Sequence, residues 1–321
     1  NDPERGLFIL IFLFSLIFIS LFIFFFFHKT NQSNLNNFFW LSKETSIIIN
    51  NWFMMYFLSV VLVGTVYPIF LDVLTSEKIS VGPPFYHKLI IPFLIPFLLI
   101  MAIGPKLKWI KSNLEDKVYL ISLLFISFLL SFLIVKNFNS NFLINTILIS
   151  SALYLFFVTL RDFFIKKKNN ISQNIAHFGF SLLILSILFN SLFSTEIITN
   201  LKVGETFETS TTKIIFKNIN QKKEKNYKSI VGNFSIQNSN GKIDNLSPEL
   251  RIYNQPNIVT SEADIKTTLL SDKFLVINLV QNQDYFNVRY QVKPFMLWIW
   301  LSVLLISSGA LISLFKKEYE K

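Results

Sequence analysis

Residues 7 to 27 read LFILIFLFSLIFISLFIFFFF, an apolar run without a single charged side chain. A helix needs about 20 such residues to cross the ~30 Å hydrocarbon core of a bilayer. Further apolar runs follow at residues 48 to 71, 88 to 104, 118 to 135, 142 to 160, 175 to 193 and 295 to 314. The pattern predicts a polytopic α-helical membrane protein with about seven transmembrane helices.

The composition agrees with this fold class. Of the 321 residues, 52% are hydrophobic and only 16% are charged, whereas an average soluble domain has about 25% charged residues. The net charge of +10 could suggest nucleic acid, but much of the Lys and Arg flanks the apolar runs, where the positive-inside rule expects it. We therefore expect membrane lipid as a partner and no nucleic acid. With no cysteine, the chain itself has no thiol chemistry.

Alternate loops carry the cations and predict the orientation. The basic residues that share one side in a seven-span chain are Lys29, Lys43, Lys106, Lys108, Lys111, Lys117, Arg161, Lys166, Lys167, Lys168, Lys316, Lys317 and Lys321. The positive-inside rule makes this side cytoplasmic. We therefore expect the amino end outside and the carboxyl end inside.

Residues 194 to 293 differ in kind, because they are polar and show period-two alternation. The alternating stretches are 213 to 216, 234 to 236 and 274 to 277, and Gly204, Gly232 and Gly241 are expected to bound the strands. The pattern predicts a small extracytoplasmic β domain, a barrel or a sandwich. The predicted division is a six-helix membrane bundle at 1–193, the β domain at 194–293, and a final helix with a cytoplasmic tail at 294–321.

The start of the last span carries interfacial signals. Pro294 suits the first position of a helix, where its missing N–H costs nothing. Trp298 and Trp300 lie where an aromatic belt is expected at the membrane surface.

His177 is the residue best suited to chemistry, because it lies just inside the sixth span, where ionisable side chains are by default functional candidates. Asn174 and Ser181 share its helical face. Gly179 permits the close approach of a flat ligand or of another helix. A ligand role and a hydrogen bond to a neighbouring helix both remain open.

The other two histidines lie at span ends and are expected to be interfacial side chains. His28 follows the first span, on the same membrane side as His177, so a pair is geometrically allowed. His87 precedes the third span. No second histidine lies at helical spacing from any of them, so no helix carries a di-histidine metal motif.

Short strings along the whole chain carry a family resemblance. They are DPERG at 2–6, GTVYP at 64–68, KISVGPP at 78–84, IGP at 103–105, AHFG at 176–179, LSPE at 246–249, SEADI at 261–265, KPF at 293–295 and WIWL at 298–301. In this order they resemble the carboxyl-terminal half of the CcmF family, the haem lyase component of cytochrome c maturation in bacteria and mitochondria.

The resemblance implies a protein that helps to join haem to the two thiols of a CxxCH motif in apocytochrome c, outside the membrane. It implies that His177 is an axial ligand to a haem b, with the second ligand in the amino-terminal half of the protein. The implied partners are that half, a haem chaperone, and apocytochrome c with the proteins that present it reduced. The implied location is the bacterial cytoplasmic or the mitochondrial inner membrane, with the β domain on the periplasmic or intermembrane side.

One family feature is missing from the chain. The five tryptophans, Trp40, Trp52, Trp109, Trp298 and Trp300, are too scattered to form the family's Trp-rich haem-handling segment. We therefore expect part of a longer protein or one product of a split gene, which would be an enzyme only together with the other half. The alternatives are a multi-span carrier or permease, and a non-catalytic assembly scaffold.

Overall fold

The structure is a computed structural model that describes residues 3–27, 39–75, 78–111, 116–138, 141–165, 171–238, 241–280 and 284–315. It consists of two compact units, Asn1–Ile165 and Lys166–Lys321. The sixth helix therefore groups with the β domain and the last helix. The three-part division at residues 193 and 293 stays a prediction.

The first unit is helical. Its helices are α1 (Pro3–Phe27), α2 (Lys43–Thr75), α3 (Pro83–Ile103), α4 (Lys117–Val135) and α5 (Phe142–Ile165), and a 3₁₀ turn (Gly104–Lys106) follows α3. α5 is the most enclosed of these helices and packs against α3 and α4. Most apolar side chains of α1 are exposed, among them Phe8 and Phe25. Such a surface suits lipid, which is as apolar as the side chains themselves.

Ion pairs hold the ends of these helices together. Lys106 Nζ lies 2.8 Å from Asp162 Oδ1, and both side chains are more than four-fifths buried. Arg161 Nη1 lies 3.1 Å from Asp116 Oδ2. These charges stand at helix ends, so the apolar stretches between them stay free of ionised groups.

The second unit contains α6 (Ile171–Phe193), a two-sheet β domain and α7 (Met296–Phe315). The strands are β1 (Thr195–Leu201), β2 (Thr206–Glu208), β3 (Thr212–Lys223), β4 (Tyr227–Asn238), β5 (Ile243–Leu246), β6 (Glu249–Tyr253), β7 (Val259–Glu262), β8 (Asp264–Thr267), β9 (Ser271–Leu279) and β10 (Phe286–Pro294). One sheet has the order β1-β10-β9-β8. The other has the order β2-β3-β4-β6-β7, with β5 paired to β4.

The apolar core of the domain lies between the two sheets. Phe216 of β3 stacks on Phe234 of β4 with ring centroids 4.2 Å apart, and Ile277 and Val288 of the other sheet are fully buried in the same cluster. Gly232 does not bound a strand, as predicted, but lies within β4. A Cβ there would stand 2.8 Å from the Phe234 ring, so this glycine leaves room for the aromatic pair.

The last strand runs directly into α7. Pro294 ends β10 instead of opening the helix, as predicted, and Phe295 turns the chain with a φ of 61°. The Phe295 N–H donates to the Leu270 carbonyl at 2.9 Å, and the Phe295 ring packs on Phe189 of α6. The membrane fold with about seven spans and a β-sandwich before the last helix is therefore confirmed. The side on which the sandwich lies stays a prediction.

Candidate functional site

His177 lies in the second turn of α6 and is half-buried. Ser181, one turn further along the same face, is fully buried, and its hydroxyl donates to the Phe178 carbonyl at 2.8 Å. Asn174 lies one turn before His177 and is half-buried. The polar face predicted from the sequence is therefore present along the first three turns of α6.

Small residues hold α6 against α7. A Cβ on Gly179 would stand 2.9 Å from the Ile306 backbone nitrogen of α7. A Cβ on Gly309 would stand 2.8 Å from both the Ala176 nitrogen and the Ser172 carbonyl oxygen of α6. Glycine is required at both positions because the backbones themselves meet, as in other close membrane helix pairs. Of the two readings of Gly179, the structure shows the approach of a helix.

The polar face and the helix contact lie on different sides of α6. At ~100° per residue, His177 is about 160° from Gly179 around the helix axis. Asn174 and Ser181 lie within roughly 60° of His177 by the same geometry. The seam with α7 therefore fixes the rotation of α6 without covering the histidine.

The other histidines do not join this site in the described part of the chain. His87 is exposed in the second turn of α3. His28 lies outside the described residues. Within the described ranges, no group of three or more His, Cys, Asp or Glu side chains could hold a metal ion. An axial haem ligand needs only one imidazole on each face of the iron, so this observation leaves that role of His177 untouched.

Three of the quoted strings meet at one place in the first unit. A cavity of about 160 Å³ is lined by Gly6 of α1, by Pro68 and Asp72 of α2, and by Lys78 and Ile79 before α3, together with Ile69 and Val73. The sequence analysis did not predict this convergence. The strings lie about 60 to 70 residues apart, and no periodicity connects them.

A buried charge cluster joins the two sheets of the sandwich. Asp244 of β5 is 1% exposed, and its carboxylate contacts Lys273 of β9 and, at 2.8 Å, Lys266 of β8. Burial alone would raise the pKa of Asp244, but the hydrogen bonds and charges of the two lysines outweigh it and lower the pKa from 3.8 to about 2. Burial, with the nearby Asp244 charge, raises the pKa of Tyr290 to about 12.

Comparison with known proteins follows from this architecture. Residues 192–294 match the family model described as CcmF C-terminal beta-sandwich. The β-sandwich is a CcmF C-terminal domain. The resemblance of the chain to the carboxyl-terminal half of the CcmF family is thereby confirmed.

Similarity to CcmF proteins extends beyond the sandwich to the whole chain. The cytochrome c-type biogenesis protein CcmF of Pseudomonas fluorescens is 28% identical over 336 residues, which cover 99% of this chain and 50% of that protein. The Escherichia coli CcmF is 27% identical over 330 residues, which cover 100% of this chain and 51% of that protein. The chain therefore spans about half the length of these curated relatives.

A solved structure shares the fold. The structure titled Cytochrome c Heme Lyase CcmF superposes with a TM-score of 0.68 at 19% identity, over 85% of this chain and 46% of that chain. At this identity, the match shows the fold alone. The role of His177 stays a prediction.

Proposed function

We propose that this chain supplies the carboxyl-terminal half of a cytochrome c haem lyase, which attaches haem to the CxxCH thiols of apocytochrome c. The observation that carries the proposal is the similarity to CcmF proteins along the entire chain, spans and sandwich alike. A shared sandwich alone would also suit an unrelated membrane protein that had acquired the domain. A match over all seven spans favours the same machinery.

The proposal assigns His177 as an axial ligand of a haem b in the membrane. A spanning helix holds the ring, and the seam through Gly179 and Gly309 fixes the rotation of that helix. The face that carries His177 is turned away from α7, so a flat ligand can approach it without displacing that helix. A single neutral imidazole on a rigid helix fits the donor set that haem iron requires.

The chain's own residues would position the haem, and the bound group would supply a one-electron redox centre. The apolar helices around His177 lower the local dielectric, which tunes the potential of a bound iron. The second axial ligand comes from the other half of the protein. Both thiols of the new thioether bonds come from apocytochrome c, since this chain contains no cysteine.

The β-sandwich is the proposed docking surface for partners. On this proposal it lies on the periplasmic or intermembrane side, where it meets apocytochrome c, the proteins that keep its thiols reduced, and the haem chaperone. The helices lie in the bacterial cytoplasmic membrane or the mitochondrial inner membrane. The absence of cysteine keeps the chain itself out of disulfide exchange with these partners.

The decisive experiment replaces His177 with alanine. The variant is co-expressed with the amino-terminal half, purified, and its absorption spectrum compared with that of the wild type. His177→Ala should remove the low-spin haem b signal, because the iron loses one of its two imidazoles. Membrane insertion should be unchanged, because one neutral side chain barely alters the hydropathy of the span.

His87→Ala and His28→Ala are the matched controls and should leave the spectrum nearly intact. The wild-type chain without the other half should bind haem weakly and give a high-spin or heterogeneous spectrum. An unchanged spectrum in His177→Ala would contradict the haem site. A clean bis-imidazole spectrum of the isolated chain that disappears in His28→Ala would instead identify His28 as the second ligand.

A further inference from the structure

The hairpin between β8 and β9 has an unusual tip. Thr268 and Ser271 close it: the Thr268 N–H donates to the Ser271 carbonyl at 3.0 Å, and the Ser271 N–H donates to the Thr268 hydroxyl at 3.1 Å. The two residues between them are Leu269 and Leu270, each 64% exposed. Turn tips in water carry Gly, Asn, Asp or Ser, so two adjacent exposed leucines indicate contact with something apolar.

The tip is fixed against the first turn of α7. The Trp298 indole Nε1 donates to the Leu269 carbonyl at 3.0 Å, and the Phe295 N–H donates to the Leu270 carbonyl. Both bonds use the backbone of the leucines, so their side chains remain available. The tip therefore lies within one side-chain length of the start of this helix.

The start of α7 marks the edge of the membrane. α7 has 20 residues, and at ~1.5 Å per residue it is about 30 Å long, which is the thickness of the hydrocarbon core with little to spare. Its first turn must therefore lie at the boundary between hydrocarbon and headgroups. Trp298 and Trp300 suit that depth, as interfacial tryptophans do.

We infer that Leu269 and Leu270 insert into the membrane interface beside α7 and hold the sandwich at a fixed height over the bilayer. The lipid surface that surrounds α7 continues onto the tip, which makes lipid its occupant. No nearby group opposes insertion through an ionised side chain at the tip itself, since Thr268 and Ser271 are neutral. The inference needs α7 to span the membrane and does not depend on the haem lyase proposal.

The chain offers a clean test, because it has no native cysteine. Leu269→Cys and Leu270→Cys are each labelled with an environment-sensitive fluorophore and reconstituted into phosphatidylcholine vesicles. Quenching by lipids that carry a nitroxide near the headgroup then measures contact with the interface. Trp300→Cys, on an exposed position of α7, is the positive control.

Leu279→Cys is the matched negative control. Leu279 is also an exposed leucine of β9, but it lies eight residues from Ser271, about 27 Å away at ~3.4 Å per residue. The labels at Leu269 and Leu270 should be quenched roughly twofold or more above the label at Leu279, because interfacial side chains lie about 5–10 Å deep. Retained resistance of the sandwich to protease shows that each variant is folded.

Quenching at Leu269 and Leu270 no stronger than at Leu279, in folded protein with Trp300 quenched, overturns the inference. The exposed tip would then be a surface for a protein partner. Blue-shifted emission at both tip positions, together with quenching close to that at Trp300, supports insertion.

Discussion

The buried Asp244 cluster makes a quantitative prediction about the sandwich. Asp244→Asn removes the negative charge between Lys266 and Lys273 and keeps the shape of the side chain. The native pKa of about 2 lies about 1.8 units below 3.8, and each unit corresponds to ~1.36 kcal/mol. The ionised carboxylate therefore stabilises the folded sandwich by about 2.4 kcal/mol at neutral pH. The side chain is 1% exposed, so solvent screens little of this.

Urea unfolding of the full chain in detergent, read by pulse proteolysis of the sandwich, measures the loss. With a slope of roughly 1–3 kcal/mol/M for a small domain, the midpoint should fall by about 1–2 M urea in Asp244→Asn. Glu208→Gln is the control, since Glu208 pairs with Lys213 at 3.3 Å on the exposed surface. Exposed pairs contribute at most about 1 kcal/mol, so its midpoint should barely move.

The same pair of proteins has a predicted pH dependence. A depressed carboxylate pKa stabilises the fold above the unfolded pKa, and this stabilisation is lost as the pH falls through the folded pKa. The difference between wild type and Asp244→Asn should therefore be constant above about pH 5 and shrink toward pH 2. A midpoint shift equal to that of Glu208→Gln, or a difference that persists unchanged at pH 2, would refute the reasoning.

Two further predictions concern the helices. Gly309→Leu should force α6 and α7 apart, since a Cβ there meets backbone atoms at 2.8 Å, and should destabilise the protein by about 1–3 kcal/mol; thermal unfolding checks this, with Ala310→Leu on the exposed neighbour as the harmless control. A reporter fused after Lys168 should be cytoplasmic and one inserted near Asn240 extracytoplasmic. Finding both on the same membrane side would exclude the seven-span topology.

The helices could be predicted from the sequence because the bilayer sets their length. Every predicted span has its helix, and the largest difference is α2, predicted at 48 to 71 and observed at Lys43–Thr75. Hydropathy detects only the part of a helix inside hydrocarbon. The helix itself continues into the polar layer, where its backbone hydrogen bonds are still satisfied, so its true ends escape a hydrophobicity pattern.

The strands could be predicted from alternation, but their partners could not. All three alternating stretches lie in strands, β3, β4 and β9. Gly232 was misassigned because a glycine that bounds a strand and one that leaves space for a neighbouring ring look alike in a sequence. The Asp244 cluster was missed for a related reason. Its lysines lie 22 and 29 residues away, and only the packing of one sheet on the other brings them together.

The candidate site was predictable only to the level of one residue and one face. Asn174, His177 and Ser181 share a face because the helical period requires it. Which face α7 covers depended on Gly309, more than 130 residues away, and no local pattern reports such a contact. The histidine could be located from the sequence, whereas its clearance from α7 required the structure.

The position of the sandwich between α6 and α7 has a consequence for assembly. Residues 194 to 295 connect the two helices, and closing a flexible loop of about 100 residues costs roughly 4 kcal/mol in chain entropy. β1 follows α6 almost at once and pairs with β10 from Thr195↔Val292 to Leu201↔Phe286, while β10 leads into α7. A folded sandwich thus brings its two ends side by side and reduces the effective loop to a few residues. The seventh helix then inserts next to the sixth with most of that entropy already lost, so damage to the sandwich should appear first as slow or failed pairing of two helices that it never covers.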